Sequence, residues 1–198
     1  IFRDLAKLFS KTALEVCEGQ QYDVDFETRD DVTITEYLKM IEYKTAVLVG
    51  AAMKMGAIVA KTSEENANLI YDFGLNLGIA FQLQDDYLDA FGDPKTFGKQ
   101  VGGDVISNKK TLLNLKALEL ASTQQLEDLK ELAIEKDHSK KIIETTQIYN
   151  EIKAKEACEA VMQDYYEKAI TALNAIEIDK NQKIPLQQLA QYLMQREN

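Results

Sequence analysis

The chain has 198 residues, a formal net charge of −10, 45% hydrophobic residues and 28% charged ones. That balance belongs to a folding chain rather than a disordered one. The acidic excess excludes a general nucleic-acid binder, which needs a basic face to neutralise phosphates. Two prolines, no tryptophan and abundant Ala, Leu, Glu, Lys and Gln favour helix nearly throughout. The length fits one large domain or two small ones. No run approaches the roughly 18 apolar residues of a membrane span, and nothing reads as a signal peptide. Cys17 and Cys158 stand far apart with no CxxC or histidine cluster, as expected of thiols in a reducing, cytoplasmic setting. The chain opens on Ile1-Phe2-Arg3 without a methionine, so a preceding N-terminal part is expected.

Apolar residues at Leu5, Leu8, Phe9, Ala13, Val16 and Cys17 predict a helix over residues 1–21. Gly19 and Gln20 then read as its C-cap, and YDVDFETRDD (22–31) as a polar loop. Thr33 with Glu36 forms a capping box opening a helix over 34–60. Ser63 is a good N-cap for a helix over 64–91, about 40 Å long. That helix is apolar over much of its circumference, so it belongs at the centre of a bundle. Gly74 and Gly78 predict close approach of a neighbouring helix. The segment 92–110 holds four of the nine glycines and one of the two prolines and reads as a loop. Helical patterns resume over 111–120, 123–136, 139–174 and 184–196.

The chemistry concentrates in FQLQDDYLDAFGD, residues 81–93. Asp85 and Asp89 share one helix face with Asp86 beside them. Like charges at that spacing destabilise a helix by a few tenths of a kcal/mol unless compensated. A surface salt bridge within the helix needs Lys or Arg three or four residues away, and neither is there. A solvated helix end is one reading. The other is an inward-facing carboxylate cluster whose cation is a hard divalent metal such as Mg²⁺, which takes carboxylate oxygens and bridges to phosphates. An EF-hand is excluded, because Tyr87 stands where that loop needs its second ligand. Lys95, Lys99, Lys109 and Lys110 follow among glycines that permit close backbone approach to a phosphate. They read either as a diphosphate cradle or as a solvated basic loop. A Walker A loop is excluded, since Gln100 follows Gly98-Lys99. Lys44 sits among apolar residues in IEYKTAVLVG, where it either snorkels or binds an anion. His138, the only histidine, reads as a surface residue of the turn EKDHSKK.

Taken together, GQQYD (19–23), KT (44–45), FQLQDDYLD (81–89), GK (98–99), GGD (102–104) and NKKT (108–111) resemble the trans-isoprenyl diphosphate synthases, the polyprenyl synthetase family. The resemblance covers residues 1–120, and the C-terminal third carries little signal. It implies an all-α isoprenoid-synthase bundle, a homodimer and Mg²⁺-dependent condensation of an allylic diphosphate with isopentenyl diphosphate through an allylic carbocation. By motif position, Asp85 is expected to ligate metal directly, with Asp86, Asp89 and Asp104 acting through metal-bound water. Lys44 and Lys99 are expected to bind the allylic diphosphate with support from Lys109. Thr45 and Gln82 would face the developing carbocation, and Asp23 and Gln20 would reach toward the metals.

The family's first aspartate-rich motif and the basic residues for isopentenyl diphosphate are missing from this sequence, and Asp30-Asp31, in a loop before VTIT, is no substitute. In the family those residues lie on N-terminal helices. Residues 1–198 are therefore expected to be the C-terminal part of a single synthase domain, with little activity alone. Three other functions remain on this reading: a non-catalytic regulatory subunit of a heteromeric synthase, a terpene cyclase or head-to-head synthase, and a purely structural helical module.

Overall fold

A computed structural model of the chain describes residues 1–92 and 101–195. Every regular element among them is helical: α1 (Phe2–Phe26), α2 (Ile34–Ile41), a π-helical turn (Glu42–Ala46), α3 (Val47–Val59), α4 (Glu64–Phe91), α5 (Gly103–Ile106), α6 (Leu112–Leu120), α7 (Thr123–Ala133), α8 (His138–Glu151), α9 (Ala154–Ala175) and α10 (Lys180–Gln195). The caps follow the sequence signals. The Thr33 hydroxyl accepts from the Glu36 N–H while the Glu36 carboxylate accepts from the Thr33 N–H, and Ser63 accepts from the Asn66 N–H at the start of α4.

α4 is the axis of the bundle, packed against α3 and the π turn on one side and α9 on the other. Its buried residues feed two apolar clusters. Phe73 and Leu77 meet Ala169 and Leu173 of α9 and Ala190 of α10, while Ile79 and Leu83 join Tyr37, Ile41, Leu112 and Leu113. Gly74 and Gly78 allow the approach expected of them. A Cβ on Gly74 would lie 2.9 Å from the Gly50 Cα, and one on Gly78 would lie 2.8 Å from the Ala46 Cα.

Four boundaries differ from the sequence reading. α1 does not stop near residue 21, because Phe26 is buried and stacks with Tyr22 one turn earlier, so the last apolar contacts lie beyond the polar-looking stretch. Gly19 is accordingly an interior position, with its backbone pressed against that of Tyr43 and Lys44. The 34–60 helix is interrupted by the π turn. The 139–174 helix is two helices, broken where Lys153 takes a left-handed φ of 60°. α10 begins at Lys180, capped by the Asp179 carboxylate accepting from the Asn181 N–H, and Pro185 lies inside it. The 92–110 segment also gains the single turn α5.

Candidate active site

The π turn places Lys44 and Thr45 beside the C-terminal half of α4. Such turns insert one extra residue into a helix and recur at functional sites. The Lys44 ammonium donates to Asp23 Oδ2 at 2.5 Å, which joins α1 to the turn. Next to it, Thr45 Oγ1 donates to Gln82 Oε1 at 3.2 Å and Gln82 Nε2 donates to Asp86 Oδ1 at 3.1 Å. The chain of bonds closes on the other Asp86 oxygen, which accepts from the Tyr37 hydroxyl at 2.6 Å. Tyr37 is fully buried and Asp86 is 5% exposed. The acids of α4 therefore divide: Asp86 faces inward with both oxygens engaged, while Asp85 and Asp89 lie half-buried on the adjoining flank.

Asp89 fixes the GGD stretch, residues 102–104. Its backbone carbonyl accepts from the Gly102 N–H at 2.6 Å and its carboxylate from the Asp104 N–H at 2.8 Å. Asp104 in turn lies 3.4 Å from the Lys109 ammonium. Burial pushes the Asp86 carboxyl up to about 6, with the Asp104 charge in the same direction, against the attraction of Lys109 and the Tyr37 and Gln82 hydrogen bonds. Burial likewise raises Asp104. Burial works to lower Lys109, but the charges of Asp86, Asp104 and Asp23 outweigh it and hold the ammonium above its ordinary value. Those couplings bring Asp23, Asp86, Asp104 and Lys109 into one electrostatic neighbourhood. Asp86, Asp104 and Lys109 also border a cavity of about 410 Å³ shared with Leu115, Lys141 and Tyr149.

Of the residues singled out in the sequence, Asp23, Lys44, Thr45, Gln82, Asp86, Asp89, Asp104 and Lys109 are joined by these contacts. Asp85 lies on the same turn of α4. Gln20 is exposed on α1. Lys95, Gly98 and Lys99 lie outside the described residues. His138 is exposed at the start of α8. Both cysteines are free thiols; burial pushes Cys158 up to about 12. Sequence reasoning missed Tyr37, which carries the same apolar-face signal as Met40 and Ile41; nothing in its spacing announces a carboxylate partner on another helix.

Among the described residues no three His, Cys, Asp or Glu side chains converge to hold an ion by themselves. The donor set nevertheless fits Mg²⁺, which binds through one or two carboxylates and completes its shell with water and substrate phosphates. The acids present are hard oxygen donors, and burial raises both Asp86 and Asp104, with the charge of Asp104 adding to the first and those of Asp89 and Asp23 to the second.

The polyprenyl synthetase family model matches residues 2–152. The chain belongs to this family. It is 37% identical over 187 residues to the short chain isoprenyl diphosphate synthase of Methanothermobacter thermautotrophicus, covering 94% of this chain and 57% of that protein. It is 35% identical to the geranylgeranyl diphosphate synthase of Sulfolobus acidocaldarius, covering 96% of this chain and 58% of the relative. Among solved structures, a geranylgeranyl pyrophosphate synthase superposes with a TM-score of 0.91 at 46% identity over all of this chain and 62% of that one. The synthetase of Pyrococcus horikoshii Ot3 gives 0.89 at 32%, over 98% and 59%. The all-α fold of this polyprenyl synthetase family member is thus that of its relatives, and the chain spans under two thirds of their length. No described helix is long and apolar enough to cross a membrane.

Proposed function

We propose that residues 1–198 form the C-terminal part of a synthase domain that condenses an allylic diphosphate with isopentenyl diphosphate. The observation that carries this reading is the junction at Asp89, whose backbone and carboxylate hold the Gly102–Asp104 turn and so join FQLQDDYLD to Asp104 and, through it, to Lys109. A structural module has no use for a Tyr37–Asp86–Gln82–Thr45 chain that is buried at Tyr37 and Asp86 and ends beside a partly exposed Lys44. In the reaction the allylic C–O bond breaks and the diphosphate leaves with the electron pair. The isopentenyl double bond then forms the new C–C bond, and a proton is lost.

Asp85 directly, with Asp86, Asp89, Asp104 and Asp23 through water, would hold Mg²⁺, which when bound neutralises charge on a departing diphosphate. Lys44 and Lys109 bind diphosphate oxygens and need no proton transfer to do so. Thr45 Oγ1 donates to Gln82, which leaves its oxygen lone pairs to face positive charge developing on the allyl group. Gln82 is fixed in turn by Asp86, and Tyr37 by its bond keeps that carboxylate oriented. Besides acting on the metal through water, Asp86 thereby supports the carbocation-facing groups.

The test is condensation of isopentenyl diphosphate with dimethylallyl, geranyl and farnesyl diphosphates by the full protein, alongside Asp85→Ala. Loss of turnover by a factor of about 10³ or more, with helix content unchanged, is expected from removing a group that holds transition-state charge. Near-normal turnover in that variant refutes the role. A cyclic terpene product would favour the cyclase reading instead.

A further inference from the structure

α5 carries Asp104 but is a single turn, Gly103–Ile106, preceded by Gly102 at φ 89° and with no side-chain cap. A helix this short has no stability of its own, so Asp104 is placed by whatever grips the turn from outside. α4 grips the front through Asp89. The back is gripped by two consecutive residues of α8 that neither the family motifs nor the diphosphate chemistry use. Lys141 is buried, and its ammonium donates at 3.0 Å to Ile106 O, the last carbonyl of α5, and at 3.0 Å to Ala133 O, the last carbonyl of α7. Ile142 lies behind Gly102, where a Cβ would come within 2.5 Å of the Ile142 Cδ1. Asn108 adds a bond from the outgoing chain to the same Ala133 carbonyl at 3.0 Å.

A buried ammonium is costly unless hydrogen-bonded, and burial does hold Lys141 below the ordinary lysine value. A charged donor at the C-terminus of α7 is favoured by that helix's dipole. A bond to both carbonyls ties α5 to α7 with one side chain, which a neutral residue could not match in strength.

We infer that Lys141 and Ile142 are positioning residues for Asp104, a brace on α8 that sets the Gly102–Asp104 turn against Lys109 and Asp89. The inference about Mg²⁺ rests on the proposed function; the brace itself does not. Lys141→Met keeps the aliphatic stem and removes both bonds. Amide hydrogen exchange over residues 102–107 should then quicken about tenfold, with α1 and α3 amides unchanged. Calorimetric titration of inorganic pyrophosphate, repeated across Mg²⁺ concentrations, should give a half-saturating Mg²⁺ about tenfold higher, the usual effect of losing a ligand's supporting partner. Lys141→Arg should restore both readings.

Because the brace acts through Asp104, Lys141→Met added to Asp104→Asn should raise the Mg²⁺ requirement no further, whereas a general loss of stability would add to it. Ile142→Ala should act in the same direction as Lys141→Met and stands in if that variant does not fold. Unchanged exchange over 102–107 in both variants overturns the brace. Quickened exchange with an unchanged Mg²⁺ requirement, or additive effects with Asp104→Asn, overturns its role at the site. If the unsubstituted protein binds no pyrophosphate with Mg²⁺, the proposed function fails while the exchange arm still decides the brace.

Discussion

Around Gly74 and Gly78, α4 lies so close to α3 that a single added methyl would meet the backbone of Gly50 or Ala46. One turn later the same helix turns polar, and Gln82, Asp86 and Asp89 exchange hydrogen bonds with three other segments of the chain. Around the two glycines the helix is held by close packing, a contribution that depends neither on protons nor on ligands. The second half stores unfavourable electrostatics, seen in an Asp86 carboxyl pushed up to about 6, and its energy depends on protons and on whatever cation arrives. One helix thus anchors the bundle with one end and keeps the other end out of its electrostatic optimum.

The largest effect should come from overfilling the dry half. Gly78→Val is expected to destabilise the protein by about 3 kcal/mol or more, because the obstacle is the Ala46 backbone rather than a side chain that can swing away. Urea midpoints at pH 5 and pH 7.5 should fall alike; a pH-dependent loss would break the contrast between the halves.

Asp86→Asn should behave in the opposite manner. The folded protein keeps the Asp86 proton up to about pH 6, against an ordinary value of 3.8. The stability that group contributes is therefore complete below about pH 4 and is lost as pH rises through 6. Asparagine carries no such dependence. The difference in unfolding free energy between variant and unsubstituted protein should shift by roughly 2–3 kcal/mol in the variant's favour from pH 4 to pH 7.5, and a constant difference would falsify the assignment.

Smaller again is Tyr37→Phe, which takes one of the two hydrogen bonds from that carboxylate. A loss of about 1–2 kcal/mol is expected at pH 7.5, where the acceptor is charged, and less at pH 4. Equal losses at both pH values would mean that the hydroxyl matters only for packing. The smallest change, Ser63→Ala, removes the cap of α4 at its dry end. About 1 kcal/mol should disappear, the same at every pH.

The site was legible in the sequence to the extent that its chemistry is local. Asp85, Asp86 and Asp89 share a helix whose spacing alone leaves them without basic neighbours, and Thr33, Glu36 and Ser63 announce their helices through bonds three residues long. Tyr37 was not legible, because a buried tyrosine on an apolar face looks like any core aromatic until Asp86, 49 positions away, is seen to accept from it. The π turn was hidden for a related reason. Nothing in EYKTA forbids an ordinary α-helix, and the extra residue is seen only where α1, through Gly19, presses on Tyr43 and Lys44. The 139–174 pattern likewise gave no sign of the break at Lys153, since a left-handed lysine is a departure from local preference.

By itself the sequence determined the helical class, the central place of α4 and the motif residues. The first two follow from propensity and periodicity, which act over a few residues; the acid cluster follows from side-chain chemistry, and the remaining motif residues from the family resemblance. Tertiary structure alone decided which of the adjacent acids turns inward, which lysine pairs with which carboxylate, and that a four-residue turn carrying Asp104 is held between α4 and α8. These outcomes depend on groups far apart in the chain, whose energies exist only once the intervening helices have packed.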